Sequence, residues 1–190
     1  MTAPADAFEA ALLLADALEA RGISYALGGA LAYGQYGIPR ATNDVDVNVF
    51  VRDEALAAVA AALRSVGIAV TDEAFRHDAA AEGLSVLRLG NVRIDVFTPS
   101  IAFSWQAERT RRRARIDGRD VWFLAPEAIA VFKLLFFRTK DLADLERLVA
   151  VSGKTMDLAY VRERVREMMG DDDPRLAAWD RICTEHLPSS

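Results

Sequence analysis

The run Asp44-Val45-Asp46-Val47-Asn48-Val49 constrains this chain more than any other stretch. Alternation with period two predicts a strand with the valines packed on one side and Asp44 and Asp46 standing together on the other. Two like charges side by side are costly without a cation. Hard oxygen donors at this spacing suit Mg²⁺, which takes one or two protein carboxylates and completes its shell with water and phosphate oxygens. Upstream, Gly28 and Gly29 end the short apolar run Ile23 to Leu27. Paired glycines let a backbone approach phosphate closely, because they lack a Cβ and tolerate positive φ. A glycine turn followed by a carboxylate pair points to nucleotide chemistry.

Composition narrows the class. With 190 residues, 52% of them hydrophobic, the chain suffices for one domain, or for one domain with a helical appendage. The start, MTAPADAFEA, lacks a basic n-region, and the most apolar run, Ala128 to Phe137, is broken by Lys133, so neither export nor membrane insertion is expected. A lone Cys183 excludes an internal disulfide, and His77 and His186 alone leave little for a zinc site; the expected compartment is the cytoplasm. A net charge of -5 argues against wholesale nucleic-acid binding but permits a local basic patch.

Along the chain, periodicity predicts a helix over residues 4–21 with Phe8, Ala11, Leu12, Ala15 and Leu18 on one face, and a strand over Ile23 to Leu27. A helix from Ala30 to Gly37 would start at the glycine turn and aim its N-terminus beside Gly28 and Gly29. Pro39 ends it. A helix over Glu54 to Val66 follows, then a strand over Ile68 to Thr71 and a polar loop or short helix over 72–83. Leu84 to Leu89 and Val92 to Phe97 read as a hairpin joined through Gly90-Asn91, with Asp95, Arg93 and Phe97 on one face. From Ala125 the chain turns helical: Pro126 to about Phe137, Thr139 (as cap) to about Val151, Thr155 to Met169 and Pro174 to His186. The expected division is a core over 1–124 and a helical part over 125–190.

A Gly-Gly after a strand, an Asp-x-Asp opening a second strand and a later Asp in a third, here Asp95 in VRIDVF, resemble the nucleotidyltransferase superfamily typified by DNA polymerase beta. The strings GGALA, YGIPRATNDVDV and PEAIAVFKLLFFRTKDLADLERL are similar to one bacterial branch, the abortive-infection type toxin nucleotidyltransferases. The match spans roughly residues 23 to 150, with four motifs in the expected order. It departs at Gly29, where many active members carry Ser. The resemblance implies an α+β fold with a mixed sheet flanked by helices, two Mg²⁺ ions held by Asp44, Asp46 and Asp95, and an NTP such as ATP as substrate. Three carboxylates from two strands meet the need of two-metal phosphoryl transfer for bridging ligands. The triphosphate would be cradled by Gly28 and Gly29 and contacted by Arg40, Thr42, Lys133 and Asp141. The acceptor hydroxyl would lie on tRNA or another RNA, on a protein or on a small molecule, and a cognate antitoxin or partner protein is implied.

Three further readings come from the residues. Lys133 lies between Ile129 and Phe137 in an apolar helix, so its ammonium must be paired, snorkel to water or meet an anion. Helical geometry sets Asp141 at the margin of the face formed by Leu142, Leu145, Leu148 and Val149, where it needs a partner, and Asp144 at the flank as a helix-end charge. Arg111, Arg113 and Arg115 alternate in RTRRRARIDGR, either as a solvated edge strand or as a track for an RNA acceptor. The rival from a different class is a degenerate nucleotide-binding module that regulates or binds a partner without chemistry. A phosphatase of the haloacid-dehalogenase type is disfavoured because Asp44 begins its strand, and a nucleotide-sugar glycosyltransferase because too little chain precedes the motif.

Overall fold

The alternation in DVDVNV is realised as a strand whose valines are among the most buried residues of the sheet. The computed structural model describes residues 4–36, 38, 39 and 41–187. Val45, Val47 and Val49 of β2 (Asp44–Val49) are at most 1% exposed, whereas Asp44 is exposed and Asp46 half-buried. Among the described residues one mixed sheet has the order β3-β4-β2-β1-β6-β5, built from β1 (Tyr25–Leu27), β2, β3 (Leu84–Leu89), β4 (Val92–Phe97), β5 (Arg112–Ile116) and β6 (Arg119–Phe123). β2 runs antiparallel to β1 and parallel to β4, β1 is parallel to β6, and two hairpins, β3–β4 and β5–β6, close the edges. This is the expected α+β architecture, a mixed sheet flanked by helices.

The chain divides into two compact units, one of Met1–Ala32 with Ala41–Leu124 and one of Tyr33–Arg40 with Ala125–Ser190. The first contains the sheet. Its α1 (Ala7–Glu19) is capped by Asp6, whose side chain accepts the Glu9 N–H, and packs Ala10, Ala11, Leu14, Ala15 and Leu18 inward. Phe8, expected on that face, is instead 44% exposed. α1 packs on β1, β2, β4 and β6, which covers the valine face. α3 (Leu56–Ser65) follows a 3₁₀ turn at Asp53–Ala55, and residues 68–71 form no strand. They lead directly into α4 (Asp72–Ala81), where Thr71 caps by accepting the Ala74 N–H; a polar sequence without an apolar stripe is held helical by its cap and by Phe75, fully buried against its neighbours. The Asp117-Gly118 turn of β5–β6 has positive φ at both residues, 48° and 75°, the pattern of a type I′ hairpin. α5 (Phe103–Thr110) is not expected from the sequence; its eight residues bury Phe103, Ser104 and Ala107 at helical spacing, over too short a run to stand out.

The second unit is helical: α6 (Pro126–Phe136), α7 (Thr139–Ser152), α8 (Leu158–Met169) and α9 (Pro174–His186). α2 (Gly29–Gln35), only two turns long, starts in the first unit and ends in the second. Trp179, 1% exposed, donates to the Leu158 carbonyl, and Arg175 donates to the Leu134 carbonyl at 2.9 Å, satisfying an orphan group at the end of α6. Arg138, not Thr139, is the N-cap of α7; Asp141 accepts its backbone N–H at 3.2 Å and its Nε at 2.6 Å. Asp144 is not a flank charge. It is buried and accepts from Lys133 Nζ at 2.6 Å, while Lys133 also reaches Asp141 at 3.2 Å. The apolar surroundings that made Lys133 and Asp141 conspicuous thus enclose an ion-pair cluster of one ammonium, two carboxylates and the Arg138 guanidinium.

Burial would push the Asp141 carboxyl up, but Arg138 and Lys133 more than reverse this and hold it below its ordinary value of 3.8. A carboxyl depressed in the folded state stabilises the fold above its unfolded value, and that contribution is lost as pH falls through the folded value. Lys133→Met keeps the apolar stem and leaves Asp141, whose side chain is wholly buried, without one of its two cations. Its expected effect is a loss of about 3 kcal/mol near neutral pH, the scale of breaking a buried pair. Urea titrations of both proteins should show this gap narrowing as pH falls below the ordinary value of 3.8, and closing only once it has passed the depressed value of the wild-type fold.

Candidate active site

The carboxylates are brought together by register. β2 and β4 are parallel neighbours in which Asp44 stands opposite Arg93 and Asp46 opposite Asp95. Residues paired in this way share a face, so Asp44, Asp46 and Asp95 all leave the sheet on the side away from Val45, Val47, Ile94 and Val96, each of which is fully buried. Asp44 is positioned at the strand entrance by Thr42, whose hydroxyl accepts the Asp44 N–H and donates to its carbonyl, both at 3.1 Å.

Gly28 and Gly29 meet Asp46 directly. The Gly28 N–H donates to the Asp46 carbonyl at 2.8 Å, and Gly29 has φ 51°. A Cβ at Gly29 would overlap the Asp46 carboxylate, so neither its backbone conformation nor its surroundings admit a side chain. The glycine required here is the position at which the sequence departs from the Ser of its look-alikes.

Arg93 is the residue of this face to which the sequence alone assigned no role. Its Nε donates to one oxygen of Asp95 at 2.8 Å and its NH2 to the other at 3.1 Å. The hydrogen bonds and charge of Asp95, with smaller contributions from Asp44 and Asp46, raise the guanidinium further above its ordinary range. The two-residue spacing in VRIDVF was the available signal, since residues two apart on a strand are same-face neighbours. Among the described residues no three metal-capable side chains converge. The donor set nevertheless fits a hard divalent cation: three carboxylates stand on one face of two adjacent strands, and Gly29 admits the Asp46 carboxylate where a Cβ would otherwise stand.

The other expected site residues fall elsewhere. Arg40 lies outside the described residues. Lys133 and Asp141 belong to the ion-pair cluster of the helical unit. The arginine stripe is divided: Arg111 precedes β5, is half-buried, donates to the Ser24 hydroxyl, pairs with Glu108 and stacks over Trp122 at 4.4 Å. Arg113 pairs with Asp120 at 3.3 Å and lies 5.3 Å from the same indole, while Arg115 is exposed. Register carries Trp122 and Arg113 to the sheet face of Asp46, because Leu27 pairs with both Val47 and Phe123 on the opposite, valine face.

No family model and no curated protein matches this sequence. Solved structures do resemble it. The antibiotic-resistance factor ANT(2'')-Ia aligns over 92% of this chain and 95% of its own, with TM-score 0.57 and 19% identity. TM1012 of Thermotoga maritima, assigned to the nucleotidyltransferases, aligns over 74% and 90%, with TM-score 0.51 and 13% identity. ANT(2'')-Ia in complex with adenylyl-2''-tobramycin aligns over 93% and 96%, with TM-score 0.50 and 15% identity. The fold is therefore the nucleotidyltransferase fold.

Gly29→Ala tests the glycine cradle. Its expected cost is about 1–2 kcal/mol from the left-handed backbone alone, with a further loss from the clash at Asp46. Thermal melting should show the drop, and Gly34→Ala, where a Cβ meets nothing, should not.

Proposed function

We propose that this chain transfers a nucleoside monophosphate from an NTP to a hydroxyl acceptor. The observation that carries the reading is the register that sets Asp46 against Asp95, with Asp44 one step along, beside a glycine turn, in a fold shared with nucleotidyltransferases. The acceptor oxygen forms a bond to the α-phosphorus as the bond to the pyrophosphate oxygen breaks, and the hydroxyl proton passes toward Asp95. Asp44 and Asp46 would hold Mg²⁺, with Asp95 as a further ligand, and metal bound there would supply positive charge to offset that of the triphosphate and pyrophosphate. Gly28 and Gly29 admit the phosphates, with Thr42 just before β2, and Arg40 is proposed as a phosphate contact on the sequence resemblance alone. Lys133 and Asp141 are proposed as nucleotide contacts on the sequence resemblance alone.

A neighbour of the same fold carries an adenylylated aminoglycoside, which supports transfer to a hydroxyl. Arg113 and Arg115 favour an anionic acceptor over a polycationic one, and tRNA or another RNA meets that chemistry. A role in toxin–antitoxin pairing or phage defence, with a cognate partner protein, is proposed on the sequence resemblance. The non-catalytic reading is favoured by one observation, the occupation of both Asp95 oxygens by Arg93.

With labelled NTPs and Mg²⁺, Asp44→Asn and Asp46→Asn should each lower transfer by at least ~10²-fold, the scale of losing one electrostatic stabiliser. Their melting temperatures should hold or rise slightly, because each removes repulsion between carboxylates. Retained turnover in both variants would refute the metal assignment.

The arginine assignment has its own readout. Arg113→Gln with Arg115→Gln should weaken RNA acceptor binding and flatten its salt dependence by a log–log slope of about 1–2, while NTP affinity stays put. Arg111 is left in place because its contacts are internal. Unchanged salt dependence returns the stripe to an edge-protecting role.

A further inference from the structure

We propose that Arg93 is an internal counter-cation, which a divalent metal must displace from Asp95 before the carboxylate face can act. The inference rests on the metal-dependent reading of Asp44, Asp46 and Asp95.

Three observations carry it. The fork of Arg93 takes both oxygens of Asp95, at 2.8 and 3.1 Å, so the donors that a cation beside Asp46 needs are already engaged. The two partners are unequally placed: the Asp95 side chain is 14% exposed and the Arg93 side chain 46%. The carboxylate is thus held by the sheet while the guanidinium, at the end of a flexible stem, can swing into water. Finally, Arg93 stands opposite Asp44 in the register, so one cation faces the carboxylates that otherwise repel one another. A pair whose cation stands half in water costs less to break than an enclosed one. A divalent ion that binds two or three carboxylates at once replaces it without leaving any of them uncompensated. Arg93 therefore lowers metal affinity and offsets repulsion among the carboxylates of the metal-free face. It is a positioning residue, acting through Asp95.

Mn²⁺ binding to the full chain, followed by electron paramagnetic resonance and by isothermal titration, provides the test, with melting curves alongside. Arg93→Gln should tighten Mn²⁺ binding by about three- to tenfold and lower the melting temperature of the metal-free protein. Arg93→Lys keeps the charge and loses the fork, and should fall between. The control is Arg88→Gln: Arg88 pairs with Arg93 across β3–β4 and donates to the Asn91 carbonyl, so its loss removes the same charge without touching Asp95. Equal tightening in Arg88→Gln and Arg93→Gln overturns the proposal in favour of a general field effect. Wild-type Mn²⁺ binding that depends on Asp44 but is unchanged or weaker in Arg93→Gln overturns the role of Arg93 alone. No Mn²⁺ binding in either wild type or Arg93→Gln overturns the metal site itself and the proposal with it.

Discussion

The parallel pairing of β2 with β4 is the constraint from which the rest of the sheet unit follows. It sets Asp46 against Asp95 on one face and Val47 against Val96 on the other. A one-residue slip would exchange the faces, burying carboxylates under α1 and exposing valines. The buried side is what secures the register: Val45, Val47, Ile94 and Val96 are all fully enclosed, and burial of such side chains is worth about 1.5–3 kcal/mol each. The acidic face is thus a structural liability imposed by the apolar one, and it survives because a cation is at hand. Among the described residues Arg93 supplies one, at Asp95.

The two units answer the problem of charge near apolar surroundings in different ways. On the sheet, the ion pair lies at the surface, with one partner half in water. In the helical unit, Lys133, Asp141, Asp144 and Arg138 pair in a cluster where the Asp141 side chain is wholly enclosed. Exposed pairs exchange readily and contribute little to stability, whereas breaking an enclosed one is costly. This difference separates an ion pair open to water on the sheet from a cluster that joins α6 to α7.

Much of the site was legible in the sequence because its signals are local. Asp44 and Asp46 are two apart on a strand of obvious period, and Gly28 and Gly29 fall at the end of the preceding strand. Asp95 could be placed on its strand, but only the resemblance joined it to the first two. The α4 helix was harder to see, since ten residues with one buried side chain carry almost no stripe. Residues 68–71 looked like a strand because they are apolar, but they take no place in the sheet ladder. The arginines at 111, 113 and 115 read as one stripe, yet the end of α5 takes Arg111 out of it.

The sequence by itself determined the class of fold, the strand that carries the paired carboxylates and the turn that must be glycine, because backbone conformation and side-chain periodicity are decided within a few residues. Only the tertiary structure decided which charges meet. The opposition of Asp46 and Asp95, the grip of Arg93 on Asp95, the burial of Asp144 against Lys133 and the withdrawal of Arg111 to Ser24 and Glu108 depend mainly on register and helix packing between segments far apart in the chain. Charge pairing is set by distance in space, and periodicity along one element does not contain that distance.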